Sequence, residues 1–207
     1  MSDVLKIVAA LALGYLLGSL NTAVLVARLY GKDISQHGSG NPGLTNALRV
    51  LGKRAAALVL AGDVLKALAA CLIGLALGVY VVSGGARDCV SLLAAGGGAV
   101  IGHNWPVYFG FKGGKGVLTA ISVMFMASWS EALLSFALFL AVVALTRLVS
   151  LGTLCASVCF VALSFMPVFA NTAYFQIFTA AMALVIVIRH RDNIRRVLAG
   201  TENRFAY

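Results

Sequence analysis

Three polar or glycine-rich segments interrupt an otherwise apolar chain, and their residue types suit the holding of anions. The first reads Ser35-Gln-His-Gly-Ser-Gly-Asn-Pro-Gly-Leu-Thr-Asn-Ala-Leu-Arg49. Gly38, Gly40 and Gly43 allow a phosphate to come close to the backbone. Residues 44–51 are predicted to form a short helix whose first amides face that glycine loop, a ready place for an anion. Ser39, Asn41, Thr45 and Asn46 add hydroxyl and amide groups, and Arg49 adds a fixed charge on a planar fork. The glycine spacing also fits a dinucleotide fingerprint, but that needs a strand before it and a βαβ unit around it. An apolar helix precedes it here, so that reading is rejected.

The second segment is Gly102-His-Asn-Trp-Pro-Val-Tyr-Phe-Gly-Phe-Lys-Gly-Gly-Lys-Gly-Val117. It is not a nucleotide-binding phosphate loop, because Phe109 stands where the first glycine should be and Gly116 follows Lys115. Gly113, Gly114 and Gly116 nevertheless place backbone amides and the Lys115 ammonium at the start of a helix, again directed at an anion. Trp105, Tyr108, Phe109 and Phe111 suit packing at the lipid headgroup level. The third segment is the tail from Arg189, in which His190 and Asn193 are spaced to share one helix face. Arg195 and Arg196 are expected to attract anionic headgroups, and His190 to serve as a donor more than as a base.

The elements that carry these segments are membrane helices. The chain has 207 residues, of which 61% are hydrophobic and 11% charged, and its mean hydropathy is +0.96. A soluble domain carries about 25% charged residues, so lipid must be the solvent for much of this surface. Helices satisfy their own backbone in lipid, and a span takes about 20 residues. The predicted fold class is therefore all-α, a polytopic membrane protein forming a single transmembrane domain over 1–207. Apolar runs at 4–30, 54–82, 88–102, 117–130, 131–146, 151–168 and 172–188 predict about seven crossings, the first a retained helix and not a cleaved signal. Of the 16 Lys and Arg, all but Lys6, Lys66 and Arg87 fall on the side that holds the three segments. That asymmetry puts the N-terminus outside and the C-terminus in the cytoplasm. It also accounts for the net charge of +9 without nucleic acid as a partner. Cys71, Cys89, Cys155 and Cys159 form no metal-ligand spacing and are read as packing residues. Asp63 and Lys66, three apart within the second run, are expected to pair, since lone charges are costly in lipid.

Taken together, Gly38-Ser-Gly-Asn-Pro-Gly-Leu-Thr-Asn-Ala-Leu-Arg49, Gly102-His-Asn-Trp-Pro106, Phe111-Lys-Gly-Gly-Lys-Gly-Val117 and His190-Arg-Asp-Asn-Ile194 resemble the acyl-phosphate-dependent glycerol-3-phosphate acyltransferases of bacterial membranes. The resemblance runs through essentially the whole chain, in order and spacing. Departures such as Pro42, Leu44, Ala67 and Leu118 remove no polar group. It implies transfer of a fatty acyl group from acyl phosphate to glycerol 3-phosphate, giving lysophosphatidic acid, in the inner membrane with the site facing the cytoplasm. Ser39, Arg49, Lys115, His190 and Asn193 would then act on glycerol 3-phosphate. Gly38, Gly40, Asn41, Gly43, Thr45, Asn46, His103, Asn104, Gly113, Gly114 and Gly116 would complete the substrate-binding set. The implied partners are the two substrates and membrane lipid, with the soluble acyl-phosphate-forming enzyme as a further candidate. No cofactor or metal is expected.

The donor of such a reaction is a mixed anhydride whose carbonyl is already activated. The task left to the protein is to hold two anions together and position a hydroxyl. The carboxylate noted within the three segments is Asp192, flanked by arginines, so the donor's own phosphate is the expected proton acceptor and His190 its rival. An acyltransferase using an H-x-x-x-x-D pair is excluded, because Pro42, Tyr108 and Arg195 stand five after His37, His103 and His190. A transporter or channel for a phosphorylated anion is the non-enzyme alternative, weakened by the absence of an internal repeat.

Overall fold

The structure is a computed structural model that describes residues 1–204. The chain divides into two compact units, the first formed by 1–79 and 89–123 and the second by 80–88 and the residues from 124.

The first unit holds α1 (Asp3–Gly18), α2 (Thr22–Leu29), α3 (Leu44–Leu51), α4 (Lys53–Leu77), α5 (Val90–Asn104) and the beginning of α6 (Val117–Ala127). α1 and α5 lie in backbone contact because both present small residues. An ideal Cβ on Gly18 would stand 2.1 Å from the Ala99 carbonyl oxygen, and one on Gly102 would stand 2.2 Å from that of Tyr15. Membrane helices lack a hydrophobic drive toward each other, and such close approach is what holds them. Gly18→Val should separate the two helices at a cost of at least about 2 kcal/mol, seen as a lower unfolding midpoint of the detergent-solubilised protein. An unchanged midpoint would contradict this account of the contact.

The second unit holds a hairpin of β1 (Tyr80–Ser83) and β2 (Ala86–Cys89), then α7 (Trp129–Thr146), α8 (Val149–Ser164), α9 (Ala173–Arg189) and α10 (Arg191–Leu198). α8 packs against both α7 and α9. Glu131 is buried and accepts from Asn171 Nδ2 at 2.7 Å and from the Ser128 hydroxyl, and Ser164 and Thr179 share a hydrogen bond of 3.1 Å. In both units polar side chains are buried while Leu65, Leu72, Leu145 and Leu184 are exposed. That inversion is expected where hydrocarbon and not water is the surrounding medium.

Each of the seven apolar runs contains a helix, and two of the runs depart from one continuous helix. The run at 4–30 is broken at Ser19-Leu20-Asn21, where the Asn21 side chain caps α2 by accepting from Val24 N at 3.1 Å. The run at 54–82 ends as a helix at Leu77, because Gly78 takes a left-handed conformation with φ of 64°. The residues beyond it form a strand, so the all-α expectation is corrected by this two-stranded ribbon. β-Branched and aromatic residues favour the strand, and Gly84 and Gly85, both with positive φ, close a two-residue turn. Among the described residues, three helical stretches are long and apolar enough to span a membrane: Asp3–Leu29 with its break, Lys53–Leu77 and Trp129–Thr146. α9 with α10, bent by 62°, is a fourth if the bent pair counts as one span. α6 and α8 are apolar but shorter.

Candidate active site

The first glycine loop is organised by two side chains. Asp33 caps a 3-10 turn over Ile34–Gln36, its carboxylate accepting from the Ser35 hydroxyl at 2.7 Å and the Ser35 amide at 3.0 Å. Those bonds hold the Asp33 carboxyl below its ordinary value. Asn46, 2% exposed in the first turn of α3, accepts from Ser39 N at 2.9 Å and donates to the carbonyls of His37 at 3.0 Å and Ile34 at 3.3 Å. Its amide therefore holds the loop from beneath. Gly38 makes that possible. Its φ is 61°, and a Cβ there would stand 2.3 Å from Asn46 Oδ1. Ser39, Thr45 and Arg49 are exposed above this frame, Asn41 is half-buried, and Gly43 stands at the head of α3, as predicted for 44–51.

The second loop leaves the end of α5 and returns to it. The Gly114 amide donates to the His103 carbonyl at 3.1 Å, and Gly116, with φ of 71°, accepts the first helical bond of α6 from Ala120 at 2.7 Å. Its aromatic stretch is fastened to α1 and α2. Tyr15 Oη donates to the Trp105 carbonyl at 2.9 Å, and the Arg28 guanidinium lies 5.3 Å from the Phe109 ring centre. The two glycine loops meet at Gly114. A Cβ there would stand 2.2 Å from His103 Nε2 and 2.9 Å from the Pro42 carbonyl oxygen. Lys115 is half-buried beside this junction in the chain. Asn104 is 0% exposed and abuts Gly116, and neither atom of its amide has a hydrogen-bond partner among the described residues.

Beneath the junction the expected Asp63–Lys66 pair is present, with Lys66 Nζ 2.9 Å from Asp63 Oδ1. A third member was not visible from spacing along one helix. Lys66 Nζ is also 2.9 Å from His103 Nδ1 and 3.0 Å from the Leu20 carbonyl oxygen.

In the second unit His190 stands at the joint between α9 and α10, 2% exposed, with Nδ1 2.8 Å from the Ile186 carbonyl. A carbonyl only accepts, so Nδ1 carries the hydrogen and Nε2 of the neutral ring is left as an acceptor. Asn193 is buried on the first turn of α10, and its Nδ2 donates to Glu202 Oε1 at 2.5 Å. Glu202 also accepts from Ser150 Oγ at 2.8 Å and from Arg196 Nε at 2.7 Å. The carboxylate on this cluster is thus Glu202, while Asp192 is exposed among Arg191 and Arg195. Ser150 and Glu202 join Asn193 only because the chain turns at Gly200, φ 71°, where Thr201 N bonds back to the Arg196 carbonyl. Arg196, expected to face lipid headgroups, is instead spent on Glu202.

Burial on its own raises the Glu202 carboxyl, but hydrogen bonds from Asn193, Arg196 and Ser150 together hold it below the usual glutamate value. A carboxyl lowered by folding contributes stability above its unfolded value of about 4.5, and loses it as pH falls through the lower folded one. Unfolding midpoints in detergent should therefore drop on acidification below about pH 4.5. Glu202→Gln should flatten that part of the profile, and an unaltered profile would refute the assignment.

Apolar helices carrying two joined glycine loops define the class as an integral membrane protein built around glycine-rich segments. Comparison with known proteins narrows that class. Residues 8–200 match the family model described as glycerol-3-phosphate acyltransferase. The glycerol-3-phosphate acyltransferase of Thermoanaerobacter pseudethanolicus is 42% identical over 193 residues, covering 93% of this chain and 92% of that protein. The Geobacter sulfurreducens protein of the same name is 40% identical over 198 residues, covering 94% and 95%. The crystal structure of PlsY, an integral membrane glycerol 3-phosphate acyltransferase in its glycerol 3-phosphate form, superposes with a TM-score of 0.86 at 38% identity, covering 97% of this chain and 96% of that one. Its lysophosphatidic acid form gives 0.83. This chain belongs to the glycerol-3-phosphate acyltransferase family.

Proposed function

We propose that this protein transfers a fatty acyl group from acyl phosphate to the sn-1 hydroxyl of glycerol 3-phosphate, releasing phosphate and forming lysophosphatidic acid. The observation that carries the reading is the meeting of two glycine loops at Gly114, each leading into a helix N-terminus, with Lys115 in the second loop and Arg49 in the last turn of the helix that follows the first. A reaction between two phosphate-bearing substrates needs such paired anion sites. PlsY, solved in glycerol 3-phosphate and lysophosphatidic acid forms, supports the acceptor and the product. The apolar runs and the asymmetry of Lys and Arg support seven crossings with an outside N-terminus and a cytoplasmic face, and the family resemblance supports the bacterial inner membrane.

In this mechanism, as the family resemblance implies, Ser39, Arg49, Lys115, His190 and Asn193 act on glycerol 3-phosphate. The amides of Gly113, Gly114 and Gly116 and of the first loop hold the donor phosphate. Asn104 offers an amide that no described protein group uses. The glycerol oxygen attacks the acyl carbon, the carbon–oxygen bond to phosphate breaks, and the proton passes to the departing phosphate. A second reading is favoured by the tautomer of His190, in which Nδ1 carries the hydrogen toward the Ile186 carbonyl, so that Nε2 of the neutral ring has the lone pair a proton acceptor needs. A His190→Ala variant that mainly raises KM for glycerol 3-phosphate supports the first version. Loss of kcat with KM intact supports the second.

The deciding experiment follows label from glycerol 3-phosphate into lipid by purified protein, with acyl phosphate, acyl-CoA and acyl carrier protein offered separately. Lysophosphatidate formed from acyl phosphate alone is the expected result. No product from any donor would overturn the reading and direct attention to flux of a phosphorylated anion across sealed vesicles.

A further inference from the structure

Asp63 and Lys66 have no place in the mechanism above, yet they bury two charges deep in α4. Asp63 is 1% exposed, Lys66 6% and His103 3%. An ammonium has three hydrogens and can only donate. Here each has one acceptor: Asp63 Oδ1 at 2.9 Å, the Leu20 carbonyl at 3.0 Å and His103 Nδ1 at 2.9 Å. Nδ1 also lies 3.6 Å from Asp63 Oδ1, but toward a charged Lys66 it accepts, and a neutral His103 ring then carries its proton on Nε2. That edge of the ring is the one against Gly114, at the point where the Pro42 carbonyl of the first loop closes in. The backbone carbonyl of the same histidine receives the Gly114 amide at 3.1 Å.

We infer that Asp63 and Lys66 are positioning residues for acyl transfer: they set the tautomer and tilt of His103, and the ring in turn fixes the junction of the two anion-holding loops. A helix-stabilising salt bridge alone would need only Asp63 and Lys66, one turn apart. It would not account for the third ammonium hydrogen being aimed at an imidazole of another helix. Nor would it account for that imidazole filling the space that a glycine leaves. The geometry gives a buried charge pair a mechanical output some distance from its own helix.

The inference rests on the proposed acyl transfer, and wild-type turnover with acyl phosphate and glycerol 3-phosphate tests that reading first and separately. Removing one charge leaves the other buried and unpaired, which risks the fold, so both are neutralised together. Asp63→Asn with Lys66→Met, His103→Ala, and the combination of the two would be assayed for KM and kcat, with unfolding midpoints recorded alongside. The charge-pair variant should raise KM for glycerol 3-phosphate or acyl phosphate on the order of tenfold to a hundredfold while its unfolding midpoint stays near that of the wild type. Because the pair acts through the ring, adding it to His103→Ala should change the kinetics less than about twofold further. Multiplying effects in the combined variant, or wild-type kinetics in the charge-pair variant, would overturn the inference. A charge-pair variant that cannot be recovered folded from the membrane would also overturn it, since the pair would then serve the fold and not the ring.

Discussion

Lys115→Ala is expected to lower kcat/KM by about a thousandfold, or about 4 kcal/mol of transition-state stabilisation. The estimate follows from where the residue stands. It is half-buried between Gly114, where the loops meet, and Gly116, which begins α6. A cation at that point adds to the helix amides, and partial exclusion of water strengthens its effect on phosphate. Truncation leaves the surrounding backbone bonds of Gly114 and Gly116 in place, so the unfolding midpoint should hardly change. Steady-state assays with each substrate varied in turn check the prediction. A loss below tenfold would mean that the charge serves the membrane surface and not the reaction.

Gly113→Ala should cost about a hundredfold in kcat/KM through displacement of the loop. A Cβ at this position would stand 2.1 Å from the His103 carbonyl oxygen and 2.5 Å from the Pro106 ring. Backbone and a proline ring yield little, so the loop must move by about an ångström, a shift that positioning of this kind does not tolerate. Gly110→Ala, in the same loop, is the matching control. Its φ is 58° but no atom lies within 4 Å of the added carbon, so only the strain of a left-handed residue, about 1 kcal/mol, is introduced. The pair separates crowding at the junction from general loop damage. Equal losses in both variants would remove the geometric explanation.

α3 was legible over 44–51 because glycine stands at both ends and the residues between them alternate on a helical period. The Asp63–Lys66 pair was legible for a similar reason, since spacing on one helix fixes which side chains meet. What escaped sequence reasoning depends on register between elements. Nothing in the spacing of His103 shows that it reaches Lys66, which requires α4 and α5 to dock in one particular alignment. The arrival of Glu202 on Asn193 and Ser150 depends on a turn after α10 that composition does not mark strongly. The hairpin was missed because Tyr80, Val81 and Val82 are as apolar as a helix end, although Gly84-Gly85 carried the signal of a tight turn. Asn46 was legible as a polar residue near the loop, while its service to three backbone groups came only from the folded geometry.

The break between α1 and α2 has a bearing on attempts to stabilise this protein. A designer would be tempted to splice the two helices into one uninterrupted rod, replacing Asn21 with a strong helix former. In a continuous helix the Leu20 carbonyl would be claimed by the amide four residues later, at Val24. At present Val24 gives its hydrogen to the Asn21 side chain, which leaves that carbonyl open for Lys66. Splicing the rod would set a backbone amide and a buried ammonium in competition for one oxygen. The interruption is better regarded as a socket than as a flaw.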